Sequence, residues 1–241
     1  MIRPIVLITG GATRLGAEIA SFLVDKECDL LIHYHHSKEE AELLAERLRE
    51  DERRIELVQA DLSDAIQIRQ LIRTLKEKFG RLDFLINNAG LFERATLGNI
   101  QRERAEQLWQ VNCQAILLMI QGCQELLEET QGSVVNLIDN CSGNRPWAYH
   151  SHYAASKAGA LALTRSLAVE LAPMIRINAV GPGGILCAED DPILETNLLE
   201  KIPMQRWGAP REIAETVWFL LTGPRYITGQ LIIVDGGWSL K

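Results

Sequence analysis

The sequence contains no apolar run long enough to cross a membrane. The longest candidates, such as AILLMI at residues 115–120, fall well short of the roughly 20 residues that a membrane-spanning helix needs. The apolar stretch in the N-terminal MIRPIVLITGG leads directly into glycines and offers no small-residue cleavage site, which argues against a signal peptide. We therefore expect a cytoplasmic protein that does not bind membranes.

Basic clusters and paired cysteines are also missing. Lysine and arginine are dispersed among acidic residues and the formal net charge is −7, which disfavours nucleic acid as a partner and favours a small molecule. The cysteines are odd in number and share no CxxC or metal-ligand spacing, so reduced thiols are expected. They are Cys28, Cys113, Cys123, Cys141 and Cys187.

The chain does contain a regular alternation of strand-like and helix-like segments. Apolar runs predict strands at residues 4–9, 29–34, 55–59, 81–87, 132–138, 175–180 and 230–235. Amphipathic stretches between them predict helices, including residues 64–79, 100–129, 153–172 and 210–221, with Ser63 and Pro210 as N-terminal signals. Strands separated by helices indicate one α/β domain over residues 1–241, a doubly wound parallel sheet with helices on both faces.

The stretch TGGATRLG, residues 9–16, lies between the first predicted strand and the first helix. Glycines at this place let the backbone approach a pyrophosphate, and the helix N-terminus behind them offers free N–H groups. The spacing differs from GxGxxG, and alone it would be more typical of a tight turn. Its position directly after the first strand favours a dinucleotide-binding site.

The end of the second strand indicates which dinucleotide binds. NAD-binding sheets place an acidic residue here for the ribose hydroxyls, whereas this chain has the sequence HYHHS at residues 33–37. Imidazoles, together with Arg14 in the neighbouring turn, favour a 2′-phosphate, so we predict NADPH. A metal site at the histidines is disfavoured because no carboxylate or cysteine stands at a recognisable spacing; a partly exposed strand end is the simpler alternative.

Tyr153 and Lys157 stand four residues apart in a segment predicted as helix, so they share one face. An ammonium beside a phenol favours the phenolate, which makes the phenol a usable proton donor. Alone, such a pair is more typical of a helix surface. Upstream, the strand-like run VVNLI ends on a carboxylate, Asp139, for which a local backbone cap is the alternative role.

Together these motifs resemble the short-chain dehydrogenase/reductase family over essentially the whole chain. The matching segments are TGGATRLG, QADL with Asp61, NNAG at residues 87–90, QVNC with Asn112, YAASK with Tyr153 and Lys157, GPG at residues 181–183 and YITGQLIIVDGG near the C-terminus. The resemblance implies a Rossmann-type sheet, hydride transfer with NAD(P)H and a homotetramer. It also implies that Tyr153 donates the proton, Lys157 holds the nicotinamide ribose and Asn112 organises a water relay.

The cofactor-binding residues that the resemblance implies fall into six segments. They are Gly10, Thr13, Arg14, Leu15 and Gly16 in the first turn; His33, His35, His36 and Ser37 after the second strand; Asp61 and Leu62; Asn88, Ala89 and Gly90; Lys157; and Pro182, Gly183 and Ile185.

Some residues depart from the family pattern. Arg14, Asp139 and Cys187 stand where the family normally has glycine, serine and threonine. With HYHHS and Phe92, the first two make the chain similar to the pteridine reductase branch, which includes bacterial dihydromonapterin reductases. That branch implies a pterin substrate, with Phe92 stacking on the flat ring, Arg14 at its polar edge and Asp139 assisting Tyr153 in protonating a ring nitrogen.

Alternatives stay open at this point. Phe92 could belong to the core, and Asn140 or Ser142 could take the serine position, because Asp139 lies one residue further from Tyr153 than is usual in the branch. The main predicted function is NADPH-dependent reduction of dihydropterins, with weak activity on dihydrofolate. The alternatives are carbonyl reduction of the 3-oxoacyl-carrier-protein or quinone type, and a nucleotide-binding sensor without turnover. Residues 185–201 are predicted as a lid-like loop over the substrate.

Overall fold

The computed structural model describes residues 3–49, 53–140, 146–185 and 199–241. In these residues the strands are β1 (Ile5–Thr9), β2 (Asp29–Tyr34), β3 (Ile55–Gln59), β4 (Phe84–Asn87), β5 (Ser133–Leu137), β6 (Arg176–Pro182) and β7 (Leu231–Val234). They form one parallel sheet in the order β3-β2-β1-β4-β5-β6-β7. The predicted doubly wound α/β fold is confirmed.

The helices alternate with these strands. They are α1 (Arg14–Asp25), α2 (Lys38–Leu48), α3 (Ala65–Lys78), α4 (Arg102–Trp109), α5 (Ala115–Thr130), α6 (Ser151–Glu170) and α7 (Pro210–Thr222). The stretch predicted as one helix over residues 100–129 contains a π-helical turn, Gln110–Gln114, between α4 and α5. Pro210 is the first residue of α7, as expected.

Two sequence predictions at element ends were wrong. The N-cap of α3 is Asp64, whose carboxylate accepts a hydrogen bond from the Ile66 N–H at 2.7 Å, because the Ser63 hydroxyl donates to Asp61 instead. β4 begins three residues later than predicted, at Phe84. The preceding Asp83 uses its carboxylate to accept from the Ile5 N–H at 2.9 Å, a bond outside the strand pairing.

The sheet separates two apolar layers. Leu7 packs with Leu71 and Met119 on the side of α3 and α5, whereas its neighbour Ile8 packs with Ile19 and Val217 on the side of α1 and α7. Successive residues of a strand point to opposite faces, and both faces are covered by helices, so all five residues of β1 are buried. This continuous burial explains the unbroken apolar run in the sequence.

Some sequence expectations concern residues outside the described ranges. These are residues 186–198 of the predicted lid, Ser142, Cys141 and Cys187. The described cysteines Cys28, Cys113 and Cys123 are buried free thiols. Burial raises the pKa of Cys28 and of Cys123 to about 12, with nearby Asp83 adding to the effect on Cys28, which makes these thiols unreactive. No described helix combines the length and apolar character that a membrane span requires.

The glycine-rich turn after β1 is held by close backbone packing. A Cβ atom at Gly16, in the first turn of α1, would lie 2.0 Å from the Gly10 carbonyl oxygen and 2.8 Å from the Asn88 side-chain nitrogen. The Thr9 hydroxyl accepts from the backbone N–H groups of Asn88 and Ala89 at 3.0 and 3.1 Å, which ties the ends of β1 and β4 together. Glycine is therefore required at position 16 by space.

His33 fixes the same turn from the side of β2. Its imidazole is 2% exposed, Nδ1 accepts from the Gly10 N–H at 3.0 Å, and Nε2 lies 3.0 Å from the Ala60 carbonyl oxygen, to which it donates in the tautomer that these partners select. Burial lowers the pKa of His33 to about 4 despite that bond to Ala60. The imidazole is neutral and both nitrogens are bound by backbone, so His33 is not the phosphate ligand that the sequence suggested.

We expect Gly16→Ala to lower the free energy of unfolding by about 3 kcal/mol, because α1 must shift to make room for the methyl group. Urea denaturation measures the change. Gly98→Ala is the matched control, since its Cβ would meet nothing within 4 Å, and it should change stability by less than about 0.5 kcal/mol. Equal stabilities of the two variants would contradict the packing argument.

His33 should also contribute a pH-dependent part of the stability. Its pKa is lower in the fold than the 6.5 of the free side chain, so its contribution is complete above pH 6.5 and is lost as the pH falls towards 4, where only the unfolded chain has gained the proton. The loss amounts to about 3 kcal/mol. Urea denaturation of wild type and of His33→Gln across this pH range gives the difference in their free energies of unfolding. We expect this difference to shrink by that amount as the pH falls, because Gln retains a donor and an acceptor but does not titrate. A pH-independent difference would refute this assignment.

Candidate active site

A cleft of about 850 Å³ opens beyond the carboxyl ends of the strands, next to the central strand β1 and its neighbours β2 and β4. Among the residues predicted from the sequence, those lining it are Gly10, Thr13, Arg14, Leu15, Gly16, His33, His35, His36, Asp61, Leu62, Asn88, Ala89, Gly90, Phe92, Asp139, Tyr153, Lys157, Pro182, Gly183 and Ile185. Ser37 and Asn112 do not line it. A second groove, of about 890 Å³, runs along α6 and β7 and lacks the tyrosine and lysine.

One end of the cleft carries imidazoles and a carboxylate. The rings of His35 and His36 lie with centroids 3.6 Å apart, and His35 Nε2 is 3.9 Å from Asp61 Oδ2. Burial opposes ionisation of Asp61, but hydrogen bonds from the Ser63 N–H and hydroxyl, with the charge of the two imidazoles, hold its pKa below the ordinary value. Arg14 also lines the cleft.

The floor of the cleft suits the backbone approach that a dinucleotide phosphate needs. Gly10 has a φ of 60°, and the turn it begins leads into the N-terminus of α1. A Cβ atom at Gly90 would lie 3.0 Å from Lys157 Nζ, so glycine leaves the ammonium room beside the backbone. The residues present therefore fit a dinucleotide lying along the cleft from His36 to Tyr153.

At the other end, a phenol and a carboxylate share a short hydrogen bond. The Tyr153 hydroxyl, in a residue that is 4% exposed, donates to Asp139 Oδ2 at 2.6 Å. Such a short bond to a carboxylate is typical of charge-assisted pairs. One helical turn away, Lys157 Nζ donates to the Leu137 carbonyl oxygen at 3.2 Å. Asn140 is engaged elsewhere, donating to Asp235 at 3.3 Å, so it is Asp139 that reaches the tyrosine.

Buried amides fix the helix that carries Tyr153 and Lys157. Asn87 on β4 donates to Asn136 on β5 at 2.8 Å, and Asn136 donates to the Thr164 hydroxyl on α6 at 2.9 Å. All three side chains are buried, so losing any of these bonds would leave an unsatisfied polar group. The chain of bonds sets the position of α6 along the sheet.

Asn112 supports the site from behind. It lies in the π-helical turn between α4 and α5, where its side chain accepts from the Leu91 N–H at 2.7 Å. Its amide nitrogen donates to the Leu91 carbonyl oxygen at 2.9 Å and to the Ser156 hydroxyl at 3.0 Å. A π-helical turn is frequent at functional sites because it redirects one side chain. Here it directs Asn112 to the loop after β4, beside the cleft.

Aromatic rings line the cleft next to Tyr153 and Asp139. Phe92 is 57% exposed, so the alternative of core packing was wrong. Its ring meets Tyr153 edge-on at a centroid distance of 4.9 Å, and lies 5.1 Å from the His150 ring and 6.4 Å from the Trp147 ring. Trp147 also contacts Trp238 at 5.6 Å. The wall presents apolar surface to a flat substrate.

Sequence reasoning missed several residues of the cleft. They are Leu91, Arg104, Gln107, Val111, Leu137, Ile138 and Gly184. The spacing of Arg104, Gln107 and Val111 places them on one helix face. This spacing predicts that the three side chains point to the same side, but it does not predict that this side is the cleft.

The comparisons with known proteins agree with this architecture. The model of a family described as enoyl-(acyl carrier protein) reductase matches residues 10–239. A 3-oxoacyl-(acyl-carrier-protein) reductase FabG of Staphylococcus aureus is 34% identical over 239 residues, covering 96% of each chain. A 3-oxoacyl-(acyl-carrier-protein) reductase of Synechocystis is 31% identical over 97% of this chain and 96% of that protein.

Solved structures show the same likeness. A short-chain dehydrogenase/reductase from Serratia marcescens superposes with a TM-score of 0.92 at 26% identity, covering 98% of both chains. A blue fluorescent protein from a metagenomic library, solved in complex with NADPH, has a TM-score of 0.92 at 31% identity, covering 98% of this chain and 97% of that one. With the family model, the full-length relatives and the Tyr153–Lys157 pair in the cleft, the chain belongs to the short-chain dehydrogenase/reductase family.

Proposed function

We propose that this chain is an NADPH-dependent reductase of dihydropterins, which it converts to the tetrahydro form. The observation that carries the substrate class is the 2.6 Å hydrogen bond from the Tyr153 hydroxyl to Asp139. Reduction of a pterin C=N bond adds hydride to the ring carbon and a proton to the neighbouring nitrogen. NADPH, when bound, supplies the hydride. The homotetramer implied by the family resemblance stays a prediction.

The residues of the cleft supply the proton and the orientation. Tyr153 and Asp139 form a two-member proton donor: the phenol gives its proton to nitrogen, and Asp139, which accepts from the phenol in the resting site, then passes a proton taken from solvent back to the phenolate. Lys157 places an ammonium one helical turn away, which favours the phenolate that remains. Phe92 offers its exposed ring as a face on which a flat heterocycle stacks.

A carbonyl substrate is the second candidate, and it is the one that the comparisons favour, because relatives over the whole chain are named as 3-oxoacyl-carrier-protein reductases. Reduction of a ketone develops negative charge on oxygen, which donors such as a hydroxyl stabilise. An ionised carboxylate is an acceptor only and repels that oxygen. Asp139 beside Tyr153 therefore favours a ring nitrogen over a carbonyl oxygen as the atom to be protonated.

We expect Asp139→Ser to lower kcat/KM for a dihydropterin by about 100-fold or more, because one member of the proton donor is lost. The loss of NADPH absorbance measures the rate, and an acetoacetyl thioester is run in parallel. The NADPH dissociation constant, from protein fluorescence, should change less than about twofold and so controls for folding. Wild-type enzyme that reduces the thioester but no pterin would overturn the proposal in favour of carbonyl reduction.

The nucleotide preference can be tested at Arg14, which has a φ of 49° and lines the cleft with His35 and His36. We expect Arg14→Gly to weaken NADPH binding by about 10-fold, because one cation facing the 2′-phosphate is lost. Glycine also relieves the left-handed backbone strain, which should stabilise the fold by about 1 kcal/mol. Titration with NADH is the control, and an equal loss of affinity for both nucleotides would sink the assignment of Arg14 to the phosphate.

A further inference from the structure

The cleft has a polar group that neither the reacting pair nor the nucleotide site uses. Arg104 and Gln107 on α4 line it, together with Val111 further along the same helix face. Leu108, which follows Gln107 in the chain, packs against Tyr153 in a small apolar cluster. Because one helical turn rises about 5.4 Å, Arg104 lies one turn along α4 from the residue that contacts the catalytic tyrosine. This places the polar group within reach of a side chain on a substrate held at Tyr153.

Arg104 is fixed in position by two partners. Its Nε donates to the Glu93 carboxylate, and its Nη1 donates to Gln107 Oε1 at 2.5 Å. A guanidinium has five N–H groups, and the other three of Arg104 have no bonding partner within the part of the chain that the structure describes. Among the same described residues the Gln107 amide nitrogen has no bonding partner, so both of its N–H groups stay available. The pair thus offers mainly donors, with one remaining acceptor lone pair on the Gln107 oxygen.

The positive charge of Arg104 is compensated by Glu93. Glu93 is one-quarter exposed and its other oxygen lies 3.7 Å from His152 Nε2. The His152 side chain is 5% exposed, and neither ring nitrogen has a hydrogen-bond partner among residues 3–49, 53–140, 146–185 and 199–241. A carboxylate held between a guanidinium and a buried imidazole cancels the charge of Arg104. Donors without net charge favour neutral oxygen atoms over anions.

We propose that Arg104 and Gln107 form a subsite that binds a neutral, oxygen-bearing side chain of the substrate, and that Glu93 discriminates against anionic side chains. The identity of the substrate ring rests on the proposed function. With that ring, the preferred substrate is a dihydropterin with a hydroxylated side chain. A dihydropterin whose side chain ends in carboxylates, as in dihydrofolate, is disfavoured. The subsite acts on binding and not on the proton transfer.

The test compares dihydropterins that share the ring and differ in the side chain, one hydroxylated and one methylated. We expect Arg104→Ala to raise KM for the hydroxylated substrate by roughly 10-fold with kcat nearly unchanged, and to leave the methylated substrate unaffected. Arg104→Lys should recover part of the loss. Arg102→Ala is the matched control, because Arg102 makes the same kind of ion pair, to Glu106 at 2.7 Å, on the exposed side of α4. A loss that is equal for both substrates would overturn the proposal.

Glu93→Gln tests the charge argument separately. The amide keeps a hydrogen-bond acceptor for Arg104 but removes the compensating charge, so the guanidinium becomes a net cation in the cleft. We expect the ratio of kcat/KM for dihydrofolate to that for the hydroxylated dihydropterin to rise by roughly 10-fold. An unchanged ratio would show that Glu93 does not set this preference and would overturn that half of the proposal.

The subsite can be tested separately from the proposed function. If wild-type enzyme reduces no pterin, the proposed function fails. The subsite is then tested by comparing the KM of an acetoacetyl thioester of full pantetheine length with that of one truncated to a short thiol. The neutral amide oxygens of the long arm present the same acceptor chemistry as hydroxyls. Arg104→Ala should then remove the preference for the long arm, and a preserved preference would overturn the subsite on its own.

Discussion

The position of β1 between β2 and β4 is the constraint on which the rest of the site depends. The chain leaves β1 towards one side of the sheet and reaches β4 on the other, so the carboxyl ends of the central strands border a crevice. That crevice stays in shape because the strand ends are bonded to one another, by Thr9 to the loop after β4 and by His33 to Gly10. The ends of these three strands and the first turn of α1 therefore form one side of a nucleotide site.

The reacting end adds a chemical constraint to this geometry. Asp139 stands at the end of β5 and Tyr153 on α6, and the buried amides of Asn87 and Asn136 hold the two elements in a fixed relation. A carboxylate in this place limits what the cleft can accept, because an ionised carboxylate cannot donate a hydrogen bond to an oxyanion. The relatives named as oxoacyl reductases share the fold along the whole chain, whereas the atom that is protonated is decided by a few side chains.

Much of the site could be predicted from the sequence, and the parts that could not have physical causes. The geometry of TGGATRLG and YAASK is local. A strand-to-helix turn brings backbone N–H groups together, and a four-residue helical spacing brings Tyr153 and Lys157 to one helix face. His33 could not be read in this way. A histidine at the end of a strand looks like a phosphate ligand until the fold shows that it is 2% exposed and bound by backbone on both nitrogens. Likewise Arg104 looks like an ordinary helix-surface cation, and only the packing of Leu108 against Tyr153 turns its face to the cleft.

The sequence by itself determined the alternation of strands and helices, the parallel pairing and the identity of the residues with chemistry, because periodicity and turn composition act over a few neighbouring residues. The tertiary structure decided which of those residues meet. Whether Asp139 or Asn140 reaches Tyr153, whether Phe92 is core or cleft, and which partner neutralises Arg104 all depend on contacts between residues distant in the chain. Such contacts are fixed by how α4 and α6 pack against the sheet, a property that no local stretch of sequence encodes.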